Sequence, residues 1–123
     1  MRSRSIIDSF RYAFRGLWYV LRTQRNVRVH LGIAACVVIV GIWLKVSLSQ
    51  WAILVLTVGS VLVSEVLNTV AETLVDLVSP GYHPLARVVK DVTAGAVMLT
   101  TIVSMIVGLL VLGPSLWSVL NGT

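Results

Sequence analysis

The chain has 123 residues, of which 57% are hydrophobic and 12% are charged, and its mean hydropathy is +0.92. A water-soluble domain carries about twice that share of charge, so the composition excludes most soluble enzyme folds and predicts apolar side chains that face lipid. The formal net charge is +5, but seven of the ten basic residues are arginines between Arg2 and Arg28. Because this charge is concentrated at one end of the chain and does not form a uniform basic surface, we expect no nucleic-acid partner.

Residues 5–24 are predicted to form an amphipathic helix. At 100° per residue its apolar side chains fall within an arc of about 120°, and arginines occupy the adjoining arc together with Asp8. The apolar positions are Ile6, Ile7, Phe10, Phe14, Leu17, Trp18 and Leu21. A cleaved signal peptide would have a continuous apolar run instead. We therefore expect an interfacial helix on the inner leaflet, with its arginines toward anionic headgroups.

Three segments are predicted to cross the membrane as helices: residues 29–48, 50–77 and 86–112. Gly113 and Pro114 are expected to end the third helix. Most basic residues precede the first span, and Arg87 and Lys90 follow the second, so positive-inside counting places the N terminus inside and the C terminus outside. No internal repeat or long linker divides the chain, and residues 1–123 are expected to form a single all-α membrane domain.

Four polar residues share one face of the second predicted span. They are spaced by three, four and four positions, within about 80° of arc: Glu65, Asn68, Glu72 and Asp76. The span must reach about Val70 to cross the bilayer, so Glu65 lies inside the inner edge of the hydrocarbon and Glu72 roughly 10 Å nearer the cytoplasm. A carboxylate at the depth of Glu65 is costly unless it faces a protein cavity. We therefore expect Glu65 to face such a cavity and to serve a function, such as accepting a proton.

A second polar cluster is expected level with Glu72. Lys90 and Asp91 begin the third span there, and the prolines and glycine of the loop 79–84 break the helix before them. The two clusters together predict a small carboxylate site that opens at the cytoplasmic interface and can hold a divalent cation. This pattern by itself fits an enzyme, a small proton- or cation-coupled transporter that uses Glu65, and a non-catalytic membrane assembly factor.

The segment from Glu65 to Asp91 resembles the prokaryotic diacylglycerol kinases and their relatives, the undecaprenol kinases. The matching motifs are Tyr12-Ala-Phe-Arg15-Gly16-Leu17, Arg25-Asn26-Val-Arg28-Val-His30-Leu31, Glu65-Val-Leu-Asn68-Thr69-Val-Ala-Glu72-Thr-Leu-Val-Asp76, Tyr82-His83-Pro84-Leu85-Ala86-Arg87-Val-Val-Lys90-Asp91 and Ala94-Gly95-Ala96-Val97. The resemblance extends over about residues 5–113. The motif around His30 and the pair Asn68-Thr69 favour the undecaprenol kinase branch.

The resemblance implies a lipid kinase of the bacterial inner membrane that works as a homotrimer, with sites shared between neighbouring subunits. Such an enzyme transfers the γ-phosphate of ATP to a lipid alcohol, either diacylglycerol or undecaprenol, and requires Mg²⁺. The resemblance implies Glu65 as the general base, Glu65 and Ala94 at the lipid substrate, and Glu72 as the magnesium ligand. Around ATP it implies Tyr12, Gln24, Asn68, Glu72, Gly81, Tyr82, His83, Lys90 and Asp91.

Gln24 is the one departure from the family pattern that bears on the metal. Many relatives carry a metal-binding glutamate at this position. The neutral amide of Gln24 still offers an oxygen, but it is a weaker ligand for a hard cation that prefers carboxylates.

Overall fold

The computed structural model describes residues 5–122, and nearly all of this part of the chain is helical. The helices are α1 (Ile6–Thr23), α2 (Arg25–Leu44), α3 (Leu48–Val78) and α4 (Pro84–Leu120). Helices α2, α3 and α4 are each long and apolar enough to cross a membrane. The prediction of an all-α chain with three helices long and apolar enough to cross a membrane is therefore confirmed. Arg2 and Arg4, part of the predicted arginine cluster, lie outside the described residues.

Helix α1 begins at a serine cap. The hydroxyl group of Ser5 accepts a hydrogen bond from the backbone N–H of Asp8 at 3.2 Å, which satisfies one of the free donors of the first turn. The carboxylate of Asp8 also complements the positive end of the helix dipole. Val20 is buried, whereas the bulky apolar side chains of the predicted arc are exposed, among them Phe10, Phe14 and Trp18.

Arg28 fixes the corner between α1 and α2. Gln24 separates the two helices in an extended conformation. The guanidinium group of Arg28 donates hydrogen bonds of 3.0 Å to the carbonyl oxygens of Leu21 and Arg22. These carbonyls have no partner within α1 because they lie in its last turn. The first residues of α2 thus hold the end of α1 in place.

Helix α2 ends at Leu44, before the predicted end of the first span at residue 48. Lys45 adopts a left-handed conformation with φ 53°, which stops the helix. Ser47 then starts α3 with a capping box: its hydroxyl accepts from the backbone N–H of Gln50 at 3.2 Å, and its own N–H donates to Oε1 of Gln50 at 2.7 Å. Because both caps fall within a few residues, neither helix extends into the turn.

Gly41 allows α2 and α3 to approach closely. A Cβ atom at Gly41 would lie 2.6 Å from Cη2 of Trp51, so the half-buried indole packs directly against the backbone of α2. Leu54 and Val61, further along the same face of α3, are also buried. Helix α3 also packs along α4, and this pair forms the most extensive helix contact in the described chain.

Helix α4 continues to Leu120 and passes through Pro114, so the prediction that Gly113 and Pro114 end the helix is wrong. A proline has no N–H and leaves a carbonyl of the preceding turn without its helical partner. Nε2 of Gln50 donates a hydrogen bond to the carbonyl oxygen of Val111 at 3.4 Å. The carbonyl that Pro114 leaves without its helical partner is that of Leu110, so Gln50 of α3 bonds the carbonyl next to it in the same turn.

Candidate intramembrane carboxylate site

The four polar residues of the predicted stripe lie on α3 with decreasing burial along the helix. Glu65 is 3% exposed, Asn68 and Glu72 are half-buried, and Asp76 is exposed. Helix α3 has 31 residues, or about 46 Å, which exceeds a hydrocarbon layer of about 30 Å. At the same rise, Glu65 lies about 26 Å and Glu72 about 36 Å from the start of the helix. If Leu48 marks one boundary of the hydrocarbon, Glu65 is within the layer and Glu72 beyond it.

His30 on α2 is the residue that contacts the Glu65 carboxylate. Its Nδ1 lies 2.9 Å from Oε1 of Glu65, and both side chains are largely buried, with exposed fractions of 19% and 4%. The angles at this contact do not satisfy hydrogen-bond geometry, and neither atom has another hydrogen-bond partner among residues 5–122. The buried hydroxyl of Thr69 donates to the backbone carbonyl of Glu65 at 3.0 Å and leaves the carboxylate free.

His30 is not among the site residues expected from the sequence. Two signals were available: an imidazole within an otherwise apolar span needs a polar partner, and His30 belongs to the Arg25–Leu31 motif. The helix pattern of α2 could not reveal which residue of α3 would be that partner, because the contact depends on how the two helices pack.

Asn68 and Glu72 form a second pair, one helical turn apart. Nδ2 of Asn68 donates a hydrogen bond of 2.6 Å to Oε1 of Glu72. The other polar atom of the amide, Oδ1 of Asn68, is buried and has no hydrogen-bond partner in the described chain. The amide nitrogen thus orients the carboxylate, and a buried carbonyl oxygen remains available beside it.

The oxygens of Asn68 and Glu72 fit a small hard cation with few protein ligands. Residues 5–122 contain no group of three or more His, Cys, Asp or Glu side chains that could hold a metal ion. Mg²⁺ is commonly held by one or two carboxylates and completes its shell with water and substrate phosphates. The unpartnered Oδ1 of Asn68 next to the Glu72 carboxylate matches that donor set.

Charged side chains link α3 to α4 at the end of the hairpin. Nζ of Lys90 lies 2.6 Å from Oδ1 of Asp76 across the two helices, and Nε of Arg87 lies 3.2 Å from Oδ1 of Asp91 one turn along α4. Both pairs are substantially exposed, so each adds little to stability. Their effect is positional: Lys90 and Asp91 are held at the start of α4, close to the last turn of α3.

The turn between α3 and α4 is short and capped. Nδ1 of His83 accepts a hydrogen bond of 3.1 Å from the backbone N–H of Leu85, and Pro84 occupies the first turn of α4, where its missing N–H costs nothing. Gly81 and Tyr82 are exposed in this turn, and Tyr82 is 86% exposed. The backbone of Gly81 and the side chain of Tyr82 are therefore accessible to a water-borne ligand.

Three further residues of the predicted site are not bonded to these pairs. Tyr12 is half-buried on α1, with the guanidinium carbon of Arg15 5.5 Å from its ring centroid. Gln24 is half-buried at the corner between α1 and α2, and Ala94 is exposed on α4. Within the described chain, no hydrogen bond or ion pair joins any of them to Glu72. One chain therefore joins the predicted site residues in pairs and does not enclose a complete site.

Three helices long and apolar enough to cross a membrane, a buried carboxylate between two of them and charged residues at the α3–α4 turn are the features of a helical membrane protein with a carboxylate site between its helices. The family model of the prokaryotic diacylglycerol kinases matches residues 11–112. The undecaprenol kinase of Bacillus subtilis (strain 168) is 42% identical over 108 residues, which cover 88% of each chain.

Two further relatives agree with this match. The diacylglycerol kinase of Synechocystis is 41% identical over 117 residues, 94% of this chain and 67% of that protein. The diacylglycerol kinase of Escherichia coli (strain K12) is 29% identical over 101 residues, 82% of this chain and 83% of that protein. The chain belongs to the prokaryotic diacylglycerol kinase family. It is thus an enzyme of the lipid kinase class, and the resemblance drawn from its motifs is confirmed.

Proposed function

We propose that the protein transfers the terminal phosphoryl group of ATP, with Mg²⁺, to the hydroxyl group of a membrane lipid alcohol, either diacylglycerol or undecaprenol. Family membership supports the kinase chemistry. The observation that carries the proposal is the separation of Glu65 from the Asn68–Glu72 pair along one face of α3. A buried carboxylate suits a hydroxyl held in lipid, and a half-buried amide and carboxylate suit a nucleotide that arrives from water.

Glu65 is the proposed general base. The lipid hydroxyl oxygen bonds to the terminal phosphorus of ATP, the bond from that phosphorus to the bridging oxygen of ADP breaks, and the hydroxyl proton passes to Glu65. ADP leaves with the electron pair of the broken bond. Such a reaction depends mainly on alignment and charge neutralisation, so a few well-placed polar groups are sufficient.

Glu72 and Asn68 are the proposed protein ligands of Mg²⁺, with the amide oxygen of Gln24 as a weaker additional ligand. The bound ion would neutralise negative charge on the phosphates of ATP. Ala94 is proposed to lie beside the lipid substrate. The remaining residues proposed around ATP are Tyr12, Gly81, Tyr82, His83, Lys90 and Asp91.

The proposed setting is the bacterial inner membrane, with the N terminus and the site on the cytoplasmic side and the C terminus outside. The exposed apolar side chains of α1 and its arginines support an interfacial location for that helix. We further propose that residues 1–123 form one domain and that three copies assemble. The incomplete site within one chain supports assembly, because residues from a neighbour can complete it.

Labelled ATP distinguishes this function from its rivals. The purified protein in mixed micelles should place the label of γ-labelled ATP on undecaprenol or on diacylglycerol, supplied in separate reactions, and only when Mg²⁺ is present. The lipid that gives the higher kcat/KM identifies the substrate. A transporter would instead put no label on either lipid. Vesicles that contain it would show flux that depends on an ion gradient and needs no ATP. A non-catalytic membrane assembly factor would tolerate Glu72→Ala, so cells that carry this variant would keep the function of the wild-type protein.

A further inference from the structure

The contact between His30 and Glu65 is not used by the phosphoryl transfer described above. Nδ1 of His30 and Oε1 of Glu65 are 2.9 Å apart and largely buried, and both atoms lack any other polar partner within residues 5–122. Two lone pairs at this separation repel each other, and the repulsion is weakly screened away from water. A proton on one of the two atoms, with a rotation of the ring or the carboxylate that aligns the N–H with the oxygen, converts the repulsion into a charge-assisted hydrogen bond. The contact is therefore expected to hold a proton.

The surroundings leave His30 and Glu65 without alternative partners. A cleft of about 180 Å³ beside His30 is lined by residues of α2, α3 and α4, and its walls are almost entirely apolar. Apart from His30, no titratable side chain lines this cleft. Along α3, Glu65 is flanked on the buried face by Val61 and Thr69, and the Thr69 hydroxyl is bonded to the backbone. The buried imidazole nitrogen and carboxylate oxygen therefore have only each other as available hydrogen-bond partners within the described chain.

We propose that His30 is a positioning residue for Glu65. A proton on Nδ1 of His30 holds Oε1 of the carboxylate and fixes its orientation, which leaves Oε2 to accept the proton of the lipid hydroxyl. This inference rests on the proposed function, in which Glu65 is the base. A base oriented by a third group is a general feature of activated nucleophiles, and the imidazole also reduces the cost of a carboxylate within lipid.

The second histidine provides an internal contrast. The chain has two histidines, and Nδ1 of His83 accepts a hydrogen bond from the backbone N–H of Leu85. Nδ1 of His83 therefore carries no proton, whereas the inference places a proton on Nδ1 of His30. The two rings differ in which nitrogen is protonated, and ¹⁵N chemical shifts distinguish those forms.

NMR of the ¹⁵N-histidine-labelled protein in detergent tests the contact without any need for activity. We expect the Nδ1 signal of His30 to be that of a protonated, hydrogen-bonded nitrogen and to shift in Glu65→Gln, while the signals of His83 stay in place. A His83→Gln sample assigns the two rings. A His30 Nδ1 signal of an unprotonated nitrogen, or one that Glu65→Gln leaves unchanged, would overturn the inference.

Kinetics test whether the contact positions the base. Misplacement of a reacting group by about 1 Å costs about 100-fold, so His30→Leu should lower kcat by about that factor with the KM for Mg-ATP within about twofold. His30→Asn, whose amide nitrogen can occupy the place of Nδ1, should restore kcat to within about tenfold of the wild type. Val37→Ala, which alters the lining of the same cleft and keeps both His30 and Glu65, is the packing control and should retain activity.

Two kinetic results would contradict a positioning role: equal losses in His30→Leu and His30→Asn, or a loss confined to KM. The failure of the proposed function is distinguishable from both. A wild-type protein that shows the NMR signature but phosphorylates no lipid alcohol would contradict the kinase, and with it the part assigned to His30 in the reaction.

Discussion

Asn68 and Glu72 show how one hydrogen bond can prepare a binding group. The 2.6 Å bond from the Asn68 amide to the Glu72 carboxylate restricts the rotation of both side chains. It also leaves the buried Oδ1 of Asn68 without a partner, and an unpartnered buried acceptor is costly unless a ligand satisfies it. Both oxygens are of the type that Mg²⁺ prefers. At the scale of residues, this pair is therefore the proposed metal-binding element.

Removing the charge of Glu72 should weaken the binding of Mg²⁺. In Glu72→Gln we expect the Mg²⁺ concentration for half-maximal lipid phosphorylation to rise by about 10- to 100-fold, because a neutral amide binds a hard cation less tightly. The measurement is a Mg²⁺ titration of label transfer at saturating ATP. Asp8→Asn makes the same change of charge on α1 and should leave the titration unchanged. Equal titration curves for Glu72→Gln and the wild type would contradict the assignment.

At the scale of elements, short polar and glycine-based contacts set how the helices meet. Arg28 binds the last carbonyls of α1, and the Ser47–Gln50 capping box starts α3 immediately after the turn at Lys45. The indole of Trp51 rests on Gly41. Such contacts determine helix packing in a bilayer, where the hydrophobic effect does not draw apolar helices together.

A methyl group at Gly41 should destabilise the α2–α3 pair. The added Cβ would lie 2.6 Å from the Trp51 ring, so Gly41→Ala forces the helices or the indole to shift, at a cost of about 1–3 kcal/mol. Gly32→Ala is the matched control on the same helix, because a Cβ there meets nothing within 4 Å. Thermal unfolding in detergent should show a lower midpoint for Gly41→Ala only. Equal midpoints for the two variants would refute close packing at Gly41.

Helix number and the polar stripe could be predicted from the sequence, whereas helix ends and tertiary partners could not. Long apolar runs and the three- and four-residue spacing of Glu65 and Glu72 are local signals. The end of α2 depends on the left-handed Lys45, and the continuation of α4 through Pro114 coincides with a contact from Gln50 on another helix. The His30–Glu65 contact likewise joins two helices, and no periodicity within either one specifies it.

At the scale of the whole molecule, one chain leaves most of its apolar surface uncovered. No residue of α4 is buried, and Lys90 is paired with Asp76, one helical turn beyond Glu72, and not with Asn68 or Glu72. Lipid can cover apolar side chains, but it cannot supply the polar groups that a nucleotide needs. The proposed homotrimer would account for both features. Contacts between subunits would cover apolar side chains, and α4 of one subunit can bring Lys90 and Asp91 to the α3 site of a neighbour.

Mixed assemblies test a shared site. If Glu65 and Lys90 act in one site from different subunits, co-expressed Glu65→Gln and Lys90→Met chains should form some sites with both native residues. Label transfer should then recover to about a tenth or more of the wild-type rate, although each variant alone is inactive. Native mass spectrometry should report three copies per particle. Mixed particles as inactive as either variant alone would contradict sites formed between subunits.

The proton-accepting role of Glu65 is the central claim, and label transfer in Glu65→Gln tests it most directly. The amide keeps the size of the side chain but cannot take the proton of the lipid hydroxyl. We predict that Glu65→Gln binds a nucleotide analogue with wild-type affinity in the presence of Mg²⁺, while label transfer from ATP to the lipid falls by at least about 100-fold. Full turnover in Glu65→Gln would contradict the account.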